Sequence, residues 1–278
     1  LGASRVGGSV YAATGAAVSI ASGRLSYALG LHGPCASYDT ACSAALVACH
    51  GGVRALQLGE CVAGLVAGAC LMLAPGVSVS FGVAGMTSAR GRSHTFDARA
   101  DGYARGEAVG GVAVRGGGEG GGLGVAGSAV RQDGRSASLT APNGQAQQGL
   151  LVAALADAGL AADELALGEA HGTGTALGDP IEAGSLEGAV LGARGGAPLG
   201  VGGVKANVGH AEAGAGLTGL VRLALGLRCG EAAPNAQLRA LNPHVGGALR
   251  SVACALAVQL AFTPNGCTFG DRFCNNLK

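Results

Sequence analysis

Twice in the second half of the chain a short apolar run stops at a histidine-bearing loop and a helix follows. This repeat limits the fold more than any other feature. The first unit reads as a strand over 165–170 that ends at His171, in Glu169-Ala170-His171-Gly172-Thr173-Gly174-Thr175. A helix follows, with Asp179 as N-cap, Pro180 at the first helical position and Glu182 three residues past the cap. The second unit reads as a strand over 199–204, a loop over 205–210 that ends at His210, and a helix over 215–227 carrying Leu217, Leu220, Val221, Ala224 and Leu225. Short strands alternating with helices predict a mainly parallel sheet, whose C-terminal loops gather on one edge. His171 and His210 are therefore expected to converge.

The first half supplies a third member of the set. In Tyr38-Asp39-Thr40-Ala41-Cys42-Ser43, an extended segment over 35–39 feeds Cys42 into a helix. Leu46, Cys49, His50 and Val53 recur on one face of that helix, which ends near Gly59. At a helix N-terminus, unpaired N–H groups and the positive end of the dipole stabilise a thiolate and make the sulfur a nucleophile. The plain alternative for a lone cysteine is a small buried hydrophobe. One thiolate candidate with two histidines on equivalent loops points to acyl chemistry through a thioester. Between these motifs the pattern predicts helices over 18–29 and 145–158, closed by Gly30 and Gly159, and strands over 62–67 and 109–114. Asp97, Arg99, Arg105 and Glu107 read as a salt-bridged loop tying layers together.

Other classes are excluded on composition and context. A net charge of +1, with no basic cluster interleaved with aromatics, gives no reason to expect nucleic acid or an anionic membrane surface. The uncharged stretch 61–89 is interrupted by Pro75 and several glycines, which suits a buried strand better than a membrane span. The nine cysteines are scattered without a C-x-x-C pair, so neither a zinc site nor a disulfide framework is indicated. A reducing, cytoplasmic setting is the default. Gly122-Leu123-Gly124-Val125-Ala126-Gly127 matches a dinucleotide fingerprint by letter, but no helix opens on it, so it reads as a tight connection. The chain opens on Leu1 within glycine-rich sequence, so it reads as a fragment whose targeting signal cannot be assessed.

Taken together, Asp39-Thr40-Ala41-Cys42-Ser43, Glu169 to Thr175 with Gly178-Asp179-Pro180-Ile181-Glu182, and Lys205-Ala206-Asn207-Val208-Gly209-His210 resemble the β-ketoacyl synthases. The similarity is greatest to the ketosynthase domains of type I modular polyketide synthases. Gln132-Asp133-Gly134 and Ala141-Pro142-Asn143-Gly144 agree as well. The resemblance implies an α/β, thiolase-like fold of two similar halves in five layers, α-β-α-β-α, here N-terminally incomplete, and normally a homodimer. It also implies decarboxylative Claisen condensation in polyketide or fatty acid biosynthesis. Cys42 would accept the acyl chain, while His171 and His210 donate hydrogen bonds to the thioester carbonyl of a malonyl-type extender on acyl carrier protein. Lys205 would hold both histidines neutral, or simply tether its loop. Thr173 and Thr175 would bind the phosphopantetheine arm, or shape the turn. No cofactor of the domain's own and no metal is implied.

On this reading residues 1–262 form one ketosynthase domain, with 1–132 the remainder of the nucleophile-bearing half and 133–262 the two-histidine half. Residues 263–278 lack the Phe-Gly-x-x-Gly-Thr-Asn-Ala-His-type loop that closes the family's second half, so they stand as a divergent, unassigned tail. Two other readings compete. One is a non-catalytic ketosynthase-like partner subunit, which would usually lack the nucleophile that Cys42 supplies here, or an inactive gene fragment left without the closing loop. A thiolase would carry a second catalytic cysteine in place of one histidine function.

Overall fold

The computed structural model describes residues 10–117, 122–249 and 254–256. In chain order the helices are α1 (Ala12–Ala16), α2 (Ser19–Leu29), α3 (Ala44–Gln57), α4 (Pro75–Val83), α5 (Gly144–Ala158), α6 (Gly178–Ala189), α7 (Lys205–Val208), α8 (Ala215–Cys229) and α9 (Pro243–Leu249). The strands are β1 (Ala63–Cys70), β2 (Ala108–Arg115), β3 (Leu167–Glu169), β4 (Leu199–Gly202) and β5 (Cys254–Leu256).

These strands make two sheets. β1 and β2 pair antiparallel from Ala63 opposite Arg115 to Cys70 opposite Ala108. β3, β4 and β5 pair parallel in that order. The mainly parallel expectation therefore holds only for the second sheet. The chain between β1 and β2 doubles back, which gives an antiparallel pair, whereas β3 and β4 are joined through the crossover helix α6. The strand expected over 35–39 is extended coil, because no ladder partner faces it among the described residues and a strand exists only through pairing.

Side-chain alternation sets the layers. In β4, Leu199 and Val201 enter a core with Ala183 of α6, Val190, Leu191, and Val245 and Leu249 of α9. Gly200 and Gly202 point the other way, toward α8. A Cβ on Gly202 would run into the Arg222 guanidinium, and one on Gly219 would sit 3.2 Å from Glu169 Cγ, so helix and sheet approach closely. The opposite side of α8 meets the first sheet through Leu217, which packs with Ala45, Cys49 and Val66. Four successive layers result: β1–β2, then α3 with α8, then β3–β4–β5, then α5, α6 and α9.

The buried face of α3 is Ala44, Ala45, Cys49 and Val53, so Cys49 and Val53 of the expected face are buried while Leu46 is 47% exposed. The reason is space. A Cβ on Gly68 of β1 would lie 3.0 Å from Ala45 Cβ and 3.2 Å from Leu217 Cδ1, so only a small residue fits where the two helices meet the sheet. Likewise Val221 and Leu225 of α8 are exposed, and its seam is Leu217 with Leu220.

Helix α5 begins where expected, with Asn143 Oδ1 accepting the N–H groups of Gln145 and Ala146, and it stops at left-handed Gly159. Residues 122–127 open no helix, and a Cβ on Gly127 would lie 2.5 Å from Ala158 N, which fits a tight connection. The 61–89 stretch contains β1 and α4, and no described helix is long and apolar enough to cross a membrane. The tail over 263–278 and the opening residues 1–9 lie outside the described residues.

Candidate active site

Three elements from different layers deliver the three predicted residues to one point. Cys42 lies in a 3-10 turn, Ala41–Ser43, that leads directly into α3. The turn is closed by Ser43 Oγ, which donates to Thr40 O at 2.9 Å and lies 2.8 Å from Thr40 Oγ1. Ala41 has φ 52°, a left-handed value that an L side chain adopts only under constraint. This kink leaves Cys42 half-buried at the head of the helix, while Cys49 on the same helix is buried and burial pushes its thiol up.

His171 follows β3, and two backbone bonds pin its loop. Glu182 of α6 accepts the N–H of His171 at 2.5 Å and of Gly172 at 2.8 Å. Asp179, expected as the N-cap of α6, instead lies inside the helix, which starts at Gly178. Its carboxylate is fully buried and accepts from Phe96 N at 2.8 Å and Gly174 N at 3.0 Å. Both acids are thus drawn away from their own helix, because the glycine-rich histidine loop presents N–H groups that the sheet does not satisfy.

His210 reaches the site from the loop after α7. Its backbone pairs with the 104–106 segment, through His210 N to Ala104 O at 2.7 Å and Gly106 N to His210 O at 2.9 Å. The ring is buried, stacks edge-on to Tyr103 with centroids 4.9 Å apart, and lies 5.6 Å from the His171 ring. Its Nδ1 accepts the Glu212 N–H at 2.9 Å. A neutral imidazole carries one proton, so that proton is on Nε2, and His210 is a hydrogen-bond donor at its far side.

The Cys42 sulfur and one ring nitrogen from each histidine all lie within 4.8 Å of one another. A sulfur and two imidazoles at that spacing would also attract a metal ion. His210 does not fit that role. With Nδ1 accepting from Glu212 and Nε2 protonated, its ring has no lone pair to offer a cation.

Two family models match the chain, one described as Beta-ketoacyl synthase, N-terminal domain, over residues 3–116, and the other as Beta-ketoacyl synthase, C-terminal domain, over residues 124–239. The chain belongs to the β-ketoacyl synthase family. Among its relatives are the spectinabilin polyketide synthase system protein NorC of Streptomyces orinoci, 43% identical over 253 residues, and the erythronolide synthase EryA2 of Saccharopolyspora erythraea, 44% identical over 242 residues. These alignments take in 88% and 84% of the chain but only 11% and 7% of the two relatives. Among solved structures, the oxazolomycin ketosynthase domain OzmH KS7 of Streptomyces albus JA3453 superposes with a TM-score of 0.84 at 33% identity, covering 88% of this chain and 45% of that one. The ketosynthase from module 6 of the bacillaene synthase of Bacillus subtilis 168 gives 0.77 at 31%, covering 83% and 42%. The fold of this β-ketoacyl synthase chain is accordingly thiolase-like.

The electrostatics around this cluster favour neutral histidines. Burial, with a further push from the Lys205 charge, brings the His210 pKa down to about 4. His171 is lowered in the same direction by the protein atoms packed around it, then by the Lys205 and His210 charges. Lys205 is itself only 5% exposed, and burial lowers its pKa against the upward pull of Glu182, Glu169, Cys42 and Asp179. Burial raises the Glu182 and Asp179 carboxyls.

Thr173 and Thr175 sit on the His171 loop with their hydroxyls 3.2 Å apart. Thr175 Oγ1 also accepts the Gly178 N–H, so this residue shapes the turn into α6. Sequence reasoning did not anticipate Glu182 as a loop anchor, Tyr103 as the wall behind His210, or Glu212 as the donor to its ring. Glu182 sat within a helix-start pattern that accounted for it locally. Nothing local marks Tyr103, which is 107 residues from the ring it touches by count of this chain.

Proposed function

We propose that this chain is a β-ketoacyl synthase of polyketide or fatty acid assembly, carrying out decarboxylative Claisen condensation between a Cys42-bound acyl group and a malonyl-type extender on acyl carrier protein. The observation that carries this reading is the meeting of the Cys42 sulfur with both imidazoles within 4.8 Å, His210 being held as a donor. The family relationship supports it.

The steps balance as follows. The Cys42 thiolate attacks the carbonyl carbon of a carrier-bound acyl thioester, the pantetheine thiolate leaves, and the acyl group remains on sulfur. The extender then loses its carboxylate as carbon dioxide, and the electrons of the broken carbon–carbon bond pass into the thioester as an enolate. His171 and His210 donate to the enolate oxygen. The enolate carbon attacks the Cys42 thioester, the tetrahedral intermediate collapses, and the Cys42 thiolate is expelled while the lengthened β-ketoacyl chain stays on the carrier. Neutral imidazoles serve here because they stabilise the oxyanion without readily protonating the carbanion, and Lys205 helps hold them neutral by like-charge repulsion.

In this reading residues 1–132 and 133–262 are the two halves of one domain, and the chain acts as a homodimer with acyl carrier protein as its partner. The phosphopantetheine arm arrives as substrate carrier along the loop of Thr173 and Thr175. A non-catalytic partner subunit is disfavoured, since such a role does not call for a nucleophile aligned with two histidines.

The test follows each half-reaction separately. Acyl transfer from a radiolabelled thioester should label the protein at Cys42 and vanish in Cys42→Ala. Carbon dioxide release from malonyl carrier protein should fall about 10²- to 10³-fold in His210→Ala, the usual cost of one oxyanion donor. Absence of labelling in the folded wild-type dimer would reject the enzymatic reading.

A further inference from the structure

His210 is useful as a donor only while something holds the Glu212 N–H against its Nδ1, and the structure concentrates unusual effort on that one residue. Glu212 has φ 42°, one of three non-glycine residues in the left-handed region among those described. A non-glycine residue stays in that region only when its surroundings impose it. The surroundings are visible. Arg105 grips the Glu212 carboxylate with two points, Nε to Oε1 at 2.5 Å and Nη2 to Oε2 at 3.1 Å. The guanidinium is itself fixed on its other sides, with Nη1 donating to Ser78 Oγ and the Phe81 ring 5.4 Å beneath it. The Cys70 thiol adds a weak bond to Glu212 Oε2 at 3.6 Å.

The backbone of Arg105 also forms a parallel bridge with His210. One residue therefore holds the histidine by its main chain and, through Glu212, by its ring. The Arg105 side chain is 9% exposed and the Glu212 side chain 23%, so this fork is sheltered, unlike a surface ion pair that water and salt would loosen.

We propose that Arg105 and Glu212 are positioning residues that set the tautomer of His210, locking its proton on Nε2 where the enolate oxygen forms. The inference rests on the functional reading above and specifies a device that reading does not require. Neither residue touches the reacting atoms. Their effect passes through the Glu212 N–H into the imidazole.

Two measurements on the intact chain test it. Nitrogen chemical shifts of the His210 ring, in protein carrying 15N-histidine, report which nitrogen holds the proton. Wild type should show Nε2–H alone, and Glu212→Gln and Arg105→Gln should show a mixture of tautomers. In parallel, carbon dioxide release from malonyl carrier protein should drop about 10-fold or more in both variants, approaching the loss of an oxyanion donor, while acylation of Cys42 stays within about twofold. Arg105→Lys keeps the charge but offers one point instead of two, so it should recover only part of the rate. The double variant Arg105→Gln with Glu212→Gln should be no worse than either single one, as expected for partners in one interaction. An unchanged tautomer in both variants would overturn the proposal, as would acylation and decarboxylation falling in equal measure, which marks a merely structural pair. A wild-type chain that takes no acyl group at Cys42 would reject the condensing function instead, leaving the tautomer measurement to judge the fork by itself.

Discussion

At the scale of single residues, two imidazoles stand near a buried cation that favours their neutral form. Burial and Lys205 together lower His210 to about 4, so decarboxylation should hold nearly level from neutral pH down toward 5, before protonation at Nδ1 displaces the Glu212 N–H and makes the ring an acid able to quench the carbanion. Removing the positive charge makes protonation of both rings easier and raises their pKa values. Lys205→Gln should therefore move the acid limb of the decarboxylation profile to higher pH, read as carbon dioxide release against pH, and an unmoved limb would show that burial alone keeps the rings neutral. Cys42, His171 and His210 were legible in the sequence because each stands at the end of a recognisable strand-like or extended run. Glu212 was not, since its contribution is a backbone N–H and no side-chain pattern advertises one.

At the scale of elements, local chemistry explains what was legible and tertiary demand explains what was not. Helix α5 could be read directly, since Asn143 caps it at 3.1 and 3.3 Å and Gly159 closes it with φ 65°. Replacing Asn143 by Ala should cost about 1 kcal/mol, checked by the midpoint and slope of urea unfolding. The added loss of the Asn143 Nδ2 bond to Asp133 O at 2.8 Å would place the result toward the upper end. Helix α6 misled for the opposite reason. Asp179 and Glu182 have the spacing of a capping pair, yet their carboxylates are claimed by N–H groups of the loops over 94–97 and 171–174. Capping residues and loop anchors are the same chemical types, so spacing alone does not separate them. Helix α3 shows a related limit, because periodicity picked out Cys49 and Val53, which are buried, but also Leu46, whereas the close meeting of α8 and β1 is filled by Ala45.

At the scale of the whole molecule, the layers are tied by a few buried charges as well as by apolar packing. Arg222 of α8 pairs with Glu169 at the end of β3, their side chains 15% and 7% exposed, and Glu169 also accepts Val204 N–H at 2.6 Å. Arg222→Met leaves that carboxylate buried with its cation gone, which should destabilise the fold by about 3–5 kcal/mol in urea unfolding. A loss under about 1 kcal/mol would mean the pair behaves as a solvated one. The layered plan was legible in the alternation of strands and helices, but the antiparallel first sheet was not, since pairing direction depends on how the chain between β1 and β2 returns. The same plan places the sulfur on the helical layer between the sheets and the imidazoles on loops that follow the second sheet. The gap between them is thus a caliper set across neighbouring layers. Slippage by one helical residue, about 1.5 Å, is close to a third of the 4.8 Å that spans the group. Every strand and helix could survive such a slip with its hydrogen bonds whole, yet the sulfur and the two imidazoles would no longer meet, so their convergence is a sensitive gauge of layer registry in this molecule.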